Sequence, residues 1–175
     1  MNLDMGETGA YPSYFWLVYY QGIRSANEII ARIDRDTDDA REKYWLGQAL
    51  AYRAMFYLVL ARLYEPKQNS YVPVSLELLK KTVPQVTETT SPEDAASNPR
   101  MNRSDMYDFI LTDLKEAERC FGEAVDAGLA QSVSKPSLYG VYGLFARLYI
   151  EMGYWEDNPE LQAYEKVVHY ADKVI

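Results

Sequence analysis

KPSLYGVYGLFARLYIEMGYWEDNPELQAYEKVVHYADKVI, residues 135–175, carries two apolar rhythms of about 3.6 residues separated by a polar turn. In the first rhythm Leu138, Tyr142, Phe145, Leu148 and Met152 share one helical face, in a segment opening near Ser134. Pro136 is tolerated in its first turn and Gly153 suits the residue just past its end. The second rhythm has a clear start, with Asn158 as cap, Pro159 at the first helical position and Glu160 after it. Leu161, Tyr164, Val168, Ala171 and Ile175 then share its face.

A helix pair with small and aromatic residues at fixed offsets marks the tetratricopeptide (TPR) repeat, a unit of about 34 residues. Tyr142, Phe145, Ala146, Tyr149 and Gly153 take first-helix positions, and Tyr164, Val167, Ala171 and Val174 second-helix positions. The fit needs an insertion in the turn, residues 155–163. Three helical segments precede this pair. Residues 12–33 put Phe15, Tyr19, Gly22, Ala26, Ile30 and Ile33 on one face, and Gly22 implies a close helix contact. Residues 40–64 carry a stripe of Trp45, Ala49, Tyr52, Phe56, Val59 or Leu60, and Leu63; Asp39 and Glu42 resemble a capping arrangement. The third starts at Ser104 as cap and aligns Tyr107, Ile110, Leu111, Leu114, Ala117 and Phe121, with Gly122 and Gly128 as stops. Tyr107, Ile110, Leu114 and Ala117 also give, with Leu50, Ala54 and Tyr57, a looser TPR match whose turn is expanded.

That expansion is residues 66–103, where Pro66, Pro73, Pro84, Pro92 and Pro99 break the rhythm and only short helical pieces such as 75–81 fit. The fold expected is therefore all-α, TPR-like helical hairpins in an α-α superhelix, one domain over residues 1–175 with a long irregular insertion at 66–103. The chain stops in mid-pattern on Ile175, so a fragment truncated at both ends is expected.

Composition narrows the function. The 175 residues are 48% hydrophobic and 25% charged, with net charge −8 and a sequence pI near 4.7. Binding of nucleic acid or of an anionic membrane needs clustered Lys and Arg, and the acidic balance argues against both. The lone Cys120, in a helical pattern, excludes an internal disulfide and a Cys-rich zinc site. No apolar run is long enough to span a bilayer, and the first residues, MNLDMGETGAYPS, lack the basic and apolar stretches of a signal peptide. His169 stands without convergent partners, so neither a catalytic nor a metal role is expected. Asp113, Glu42, Glu116 and Glu118 read as solvated faces. Sixteen tyrosines against five phenylalanines suit helix seams bordering water or surfaces meeting polar ligands.

The order of motifs says more than any one of them. Y-x-G-I-x-x-A-N runs from Tyr20 to Asn27 and R-A-x-x-Y-x-x-L from Arg53 to Leu60. A turn Pro73-Val74-Ser75 follows, then R-S-x-x-Y-D-F-I-x-x-D-L from Arg103 to Leu114 and a closing pair of the A-R-x-Y type. In this order they resemble the SusD/RagB family of nutrient-binding lipoproteins, nearly throughout from Tyr14. Glu65-Pro66-Lys67 departs from the glycine and aspartate usual after the second helix. The family's lipoprotein signal, lipidated cysteine, earliest helix and C-terminal half have no counterpart in this sequence.

The resemblance implies capture of an oligosaccharide or polysaccharide at the outward face of the outer membrane of Bacteroidetes-type bacteria. It implies delivery to a TonB-dependent transporter and no enzymatic activity; no cofactor is expected, and the charge balance leaves no nucleic acid partner. Sugar sites stack aromatic faces on C–H surfaces, and the residues expected here are Tyr11, Tyr14 and Trp16. Trp16 falls off the Phe15–Tyr19 face, which leaves it for the surface or for packing against another helix. Trp45 is expected in the core, and Trp155, in the turn, fits either role. The rival readings are an intracellular TPR scaffold binding a peptide or protein, and an enzyme whose site lies in the part not present.

Overall fold

The computed structural model describes residues 9–68, 73–130, 134–155 and 161–174. Its helices are α1 (Ala10–Ile30), α2 (Ala40–Tyr64), α3 (Leu76–Leu79), α4 (Pro92–Ala96), α5 (Arg103–Asp126), α6 (Leu138–Trp155) and α7 (Leu161–Asp172). The fold is all-α and TPR-like, as the spacing predicts; one isolated bridge, Lys81 to Asn102, is the only β pairing among the described residues. No helix among them is long and apolar enough to cross a membrane. The expected cap at Asn158, Pro159 and Glu160, the Trp155 and Leu161 side chains, and Ile175 lie outside the described residues.

Packing runs in chain order: α1 on α2, α2 on α5, α5 on α6, and α6 on α7. The α1/α2 hairpin is antiparallel, because the Tyr64 hydroxyl at the end of α2 donates to the Pro12 carbonyl at the start of α1. Asp39 caps α2, its carboxylate accepting from the amides of Arg41 (2.7 Å) and Glu42 (3.2 Å). Gly128 ends α5 at φ +87°, where its amide and that of Leu129 bond back to the Val125 and Ala124 carbonyls. Gly22 permits the close contact that the sequence implies: a Cβ there would lie 2.5 Å from the Phe56 ring.

Three readings of helix phase and boundary are corrected. The cap of α5 is Asn102, not Ser104, since the helix already begins at Arg103. On α7 the inward residues are Ala163, Val167 and Tyr170, whereas Tyr164 and Val168 are exposed. Tyr170 stacks on Phe145 at 4.3 Å, and that contact sets the rotation of α7. Trp45 is exposed rather than core. Helix α2 lies between α1, α5 and α6, so Leu46, Leu50, Ala54, Tyr57, Leu58 and Ala61 are buried around a wide arc. The Trp45–Tyr52–Phe56 flank instead borders an apolar groove of about 480 Å³ against Gly22, Ala26 and Ile29 of α1.

Short helices punctuate the described part of the insertion. Ser75 caps α3 and Ser91 caps α4 through hydroxyls that accept from the Leu78 and Asp94 amides. Residues 82–88 then run as a strap bonded to α1 and α2, with Thr82 and Val83 fully buried.

Candidate functional site

The opening turns of α1 form an aromatic end. Tyr11 and Tyr14, three residues apart and so neighbours on the helix surface, both project into solvent. The Tyr14 ring meets Phe15 edge-on at 5.7 Å. Trp16 is half-buried, 4.7 Å from the Tyr20 ring and edge-on to Tyr64 at 5.1 Å. Of the three residues singled out from the sequence, two are therefore free surface and one is packed between tyrosines.

The phase explains the difference. The sequence places Phe15 on the core face and Trp16 off it; the structure reverses them, with Phe15 exposed. The buried face takes in Trp16, Tyr20, Ile23 and Asn27 beside Ala26 and Ile30 of the expected stripe; Tyr19 also packs on the core, and Phe15 is the residue that leaves it. Residues 14–20 are apolar or aromatic on every side, so spacing alone does not select which flank meets α2.

Two interactions fix α1 from behind. The Tyr20 hydroxyl donates to the Pro84 carbonyl (2.6 Å), and the Asn27 amide to the Val86 carbonyl (3.0 Å). The strap is held further by Tyr57, whose hydroxyl donates to the Val86 carbonyl (2.8 Å) and accepts from its amide (2.6 Å). Burial pushes both tyrosine hydroxyls well above their ordinary value, so neither ionises.

Beneath lies a buried polar hub. Arg53, 1% exposed, forks onto Asp113 at 2.7 and 2.8 Å and also donates to Asn27 (2.8 Å) and Glu88 (2.5 Å). Its guanidinium lies 5.0 Å from the centre of the Phe109 ring. Asp113 is 3% exposed, which corrects its reading as a solvated acid. Burial raises the Asp113 carboxyl against the pull of Arg53, while Arg53 is raised despite burial by Asp113 and Glu88. These directions oppose each other across one pair, and the short two-bond fork decides for the ionised pair. Burial works against the Glu88 carboxylate too, but its own amide, Arg53 and Arg35 hold it below its ordinary value. The hub's signal in the sequence is an arginine and an aspartate each standing on an apolar stripe.

The remaining candidates are quiet. Cys120 is fully buried and burial pushes its thiol up to about 11, which makes it inert. His169 is exposed, edge-on to Tyr170. No group of His, Cys, Asp or Glu among the described residues is placed to hold a metal ion. A cavity of about 590 Å³ opens at the start of α5 between Lys80, Arg103, Tyr107, Asp108 and Met152. At its margin Glu65 accepts from Arg103 (3.2 Å) and Tyr107 (3.3 Å), so the residue that departs from the motif order closes an ion pair. Among the described residues lining this cavity the aromatic one, Tyr107, is buried, whereas the α1 end exposes several rings.

Comparison with known proteins adds the context. A family model described as SusD-like, starch-binding associating with outer membrane, matches residues 2–150. A SusD-like carbohydrate binding protein from Bacteroides vulgatus superposes with TM-score 0.72 at 25% identity, over 97% of this chain and 32% of its own. A laminarin binding SusD-like protein gives TM-score 0.60 at 21% identity, over 91% of this chain and 29% of its own. A structure with xylogluco-oligosaccharide gives TM-score 0.63 at 20% identity, over 93% of this chain and 29% of its own. The chain thus spans about a third of the length of the solved structures it matches. Among curated proteins none matches.

Proposed function

This chain belongs to the SusD-like family, and from that premise we propose that it binds oligosaccharide or polysaccharide nutrients at the bacterial cell surface for delivery to a TonB-dependent transporter. The family is one of carbohydrate-binding, non-catalytic proteins. The observation that carries the reading is the family match over residues 2–150, which encloses the aromatic end of α1. It favours an outward-facing lipoprotein of the outer membrane over an intracellular TPR scaffold. The same reading takes residues 1–175 as one TPR-like domain and 66–103 as its insertion.

The contact surface assigned to the glycan is Tyr11 and Tyr14, with Trp16 as the packed base that fixes their helix. Exposed phenol rings stack on sugar C–H faces, and their hydroxyls reach the ring oxygens and hydroxyls of the ligand. Affinity electrophoresis of the complete protein through polysaccharide-containing gels tests binding. Protease shaving of intact cells tests location, and co-purification of a transporter from solubilised membranes tests delivery. A protein that migrates unretarded through every polysaccharide and stays protected inside intact cells would overturn the proposal.

A further inference from the structure

Resting on that glycan-binding reading, we infer that the surface at the start of α1 takes uncharged sugar chains, polymers of neutral hexoses or pentoses, and rejects those bearing uronate or sulfate groups. From Thr8 to Ile23 the sequence has no Asp, Glu, Lys, Arg or His, in a chain where these charged types make up 25% of residues apart from one histidine. The exposed large hydrophobic side chains in this stretch are Tyr11 (54%), Tyr14 (62%), Phe15 (44%), Leu17 (66%) and Val18 (43%). They cover about 10 Å of helix length.

Described charged residues flanking the strip are engaged elsewhere. Arg24 lies about 15 Å along the axis from Tyr14 and is bonded to Glu28 at 3.3 Å. On the last turns of α2, beside the start of α1, Arg62 pairs with Glu151 (2.8 Å) and Glu65 with Arg103 (3.2 Å). Arg100 of the insertion directs its donors at the Tyr64 and Thr82 carbonyls, at 3.1 and 2.8 Å.

An anionic glycan laid on this strip would give up hydration of its carboxylates or sulfates without gaining a counter-charge, a large cost when a charge leaves water unpaired. The chain's net charge of −8 adds a repulsive field at low salt. A neutral sugar meets neither penalty: its C–H face covers the rings and its hydroxyls find the tyrosine oxygens.

The test is a polysaccharide array holding neutral, uronate-containing and sulfated polymers, probed with the complete protein and with Tyr11→Ala, Tyr14→Ala and Tyr14→Phe. Thermal melts confirm that each variant is folded. The inference expects binding to neutral polymers alone, at an affinity indifferent to added salt. Tyr14→Ala should weaken it about three- to tenfold, and Tyr14→Phe should retain most of it. Binding to uronate or sulfated polymers that weakens with salt and with Tyr14→Ala overturns the inference and leaves glycan binding standing. Neutral-glycan binding indifferent to both alanine variants also overturns it, because the strip is then covered by another segment or partner. Binding to no polymer overturns the inference and the function it rests on together.

Discussion

Asp113→Asn is the most informative single change, because it removes a charge and almost no volume. Asp113 is 3% exposed and accepts two bonds from Arg53, itself 1% exposed, at 2.7 and 2.8 Å. The amide offers one neutral acceptor and turns its NH₂ toward a guanidinium that can only donate. Removing one partner of a buried ion pair costs about 3–5 kcal/mol, most of it the charge left behind. Arg53 keeps Glu88 at 2.5 Å and Asn27 at 2.8 Å, so the loss belongs at the low end. We expect about 3 kcal/mol, a large share of the roughly 5–15 kcal/mol typical of a folded domain. Urea unfolding followed by far-UV circular dichroism reads the loss. The cycle completed with Arg53→Met and Arg53→Met/Asp113→Asn should show coupling of about 2 kcal/mol or more, since residues in one network do not add. A loss below about 1 kcal/mol for Asp113→Asn, or additive single variants, would refute the assignment of Arg53 as a charged hub.

Four further outcomes follow from the same geometry. Glu88 has its carboxyl held below the ordinary 4.5, so its stabilising contribution is fully present above that value and lost as pH falls through the lower folded value. The stability gap between wild type and Glu88→Gln should accordingly close on acidification below 4.5, as urea midpoints across pH would show. Trp16→Ala should cost about 2 kcal/mol, less than a fully buried tryptophan, whereas Tyr14→Ala should shift thermal stability by no more than about 0.5 kcal/mol. Cys120 should resist thiol reagents in the native protein at neutral pH and react only once urea unfolds it. Gly128→Ala, which forces a side chain to adopt φ +87° in open space, should cost about 1–2 kcal/mol.

How much of this was legible in the sequence depends on what sets each feature. Segments with a local cause read well: Asp39 caps α2, Ser75 starts a short helix, and of the two glycines offered as stops Gly128 ends α5 while Gly122 lies inside it. Rotation about the helix axis read poorly wherever apolar residues surround the helix. On α1 this exchanged Phe15 for Trp16, and on α2 it placed Trp45 in a core from which it is excluded. Both helices are phased by neighbours far away in sequence, such as Tyr64 against Trp16, and a one-dimensional period carries no trace of that choice. Asp113 was misread for a related reason. Its charge suggests solvent, and only its place one turn from Ile110 and Ala117, facing an arginine sixty residues back, marks it as buried.

The hub and the aromatic end belong to one arrangement. Rings that stack on a sugar gain affinity in proportion to how little they must be ordered on binding. Tyr11 and Tyr14 ride on a helix fixed along its length: Pro12 by the Tyr64 hydroxyl, Tyr20 and Asn27 by the strap. The strap is itself held by Tyr57 and by Glu88 on the Arg53 fork. A helix anchored at three depths presents its exposed rings without rearranging, so the buried charges steady at a distance the surface proposed for the glycan. The consequence is testable in the glycan rather than in the fold. Glu88→Gln, remote from Tyr14 in sequence and assayed where the protein remains folded, should weaken glycan affinity by raising the disorder of α1, and Tyr14→Ala made on top of it should then cost less than it does alone. Equal costs in the two backgrounds would separate the hub from the site.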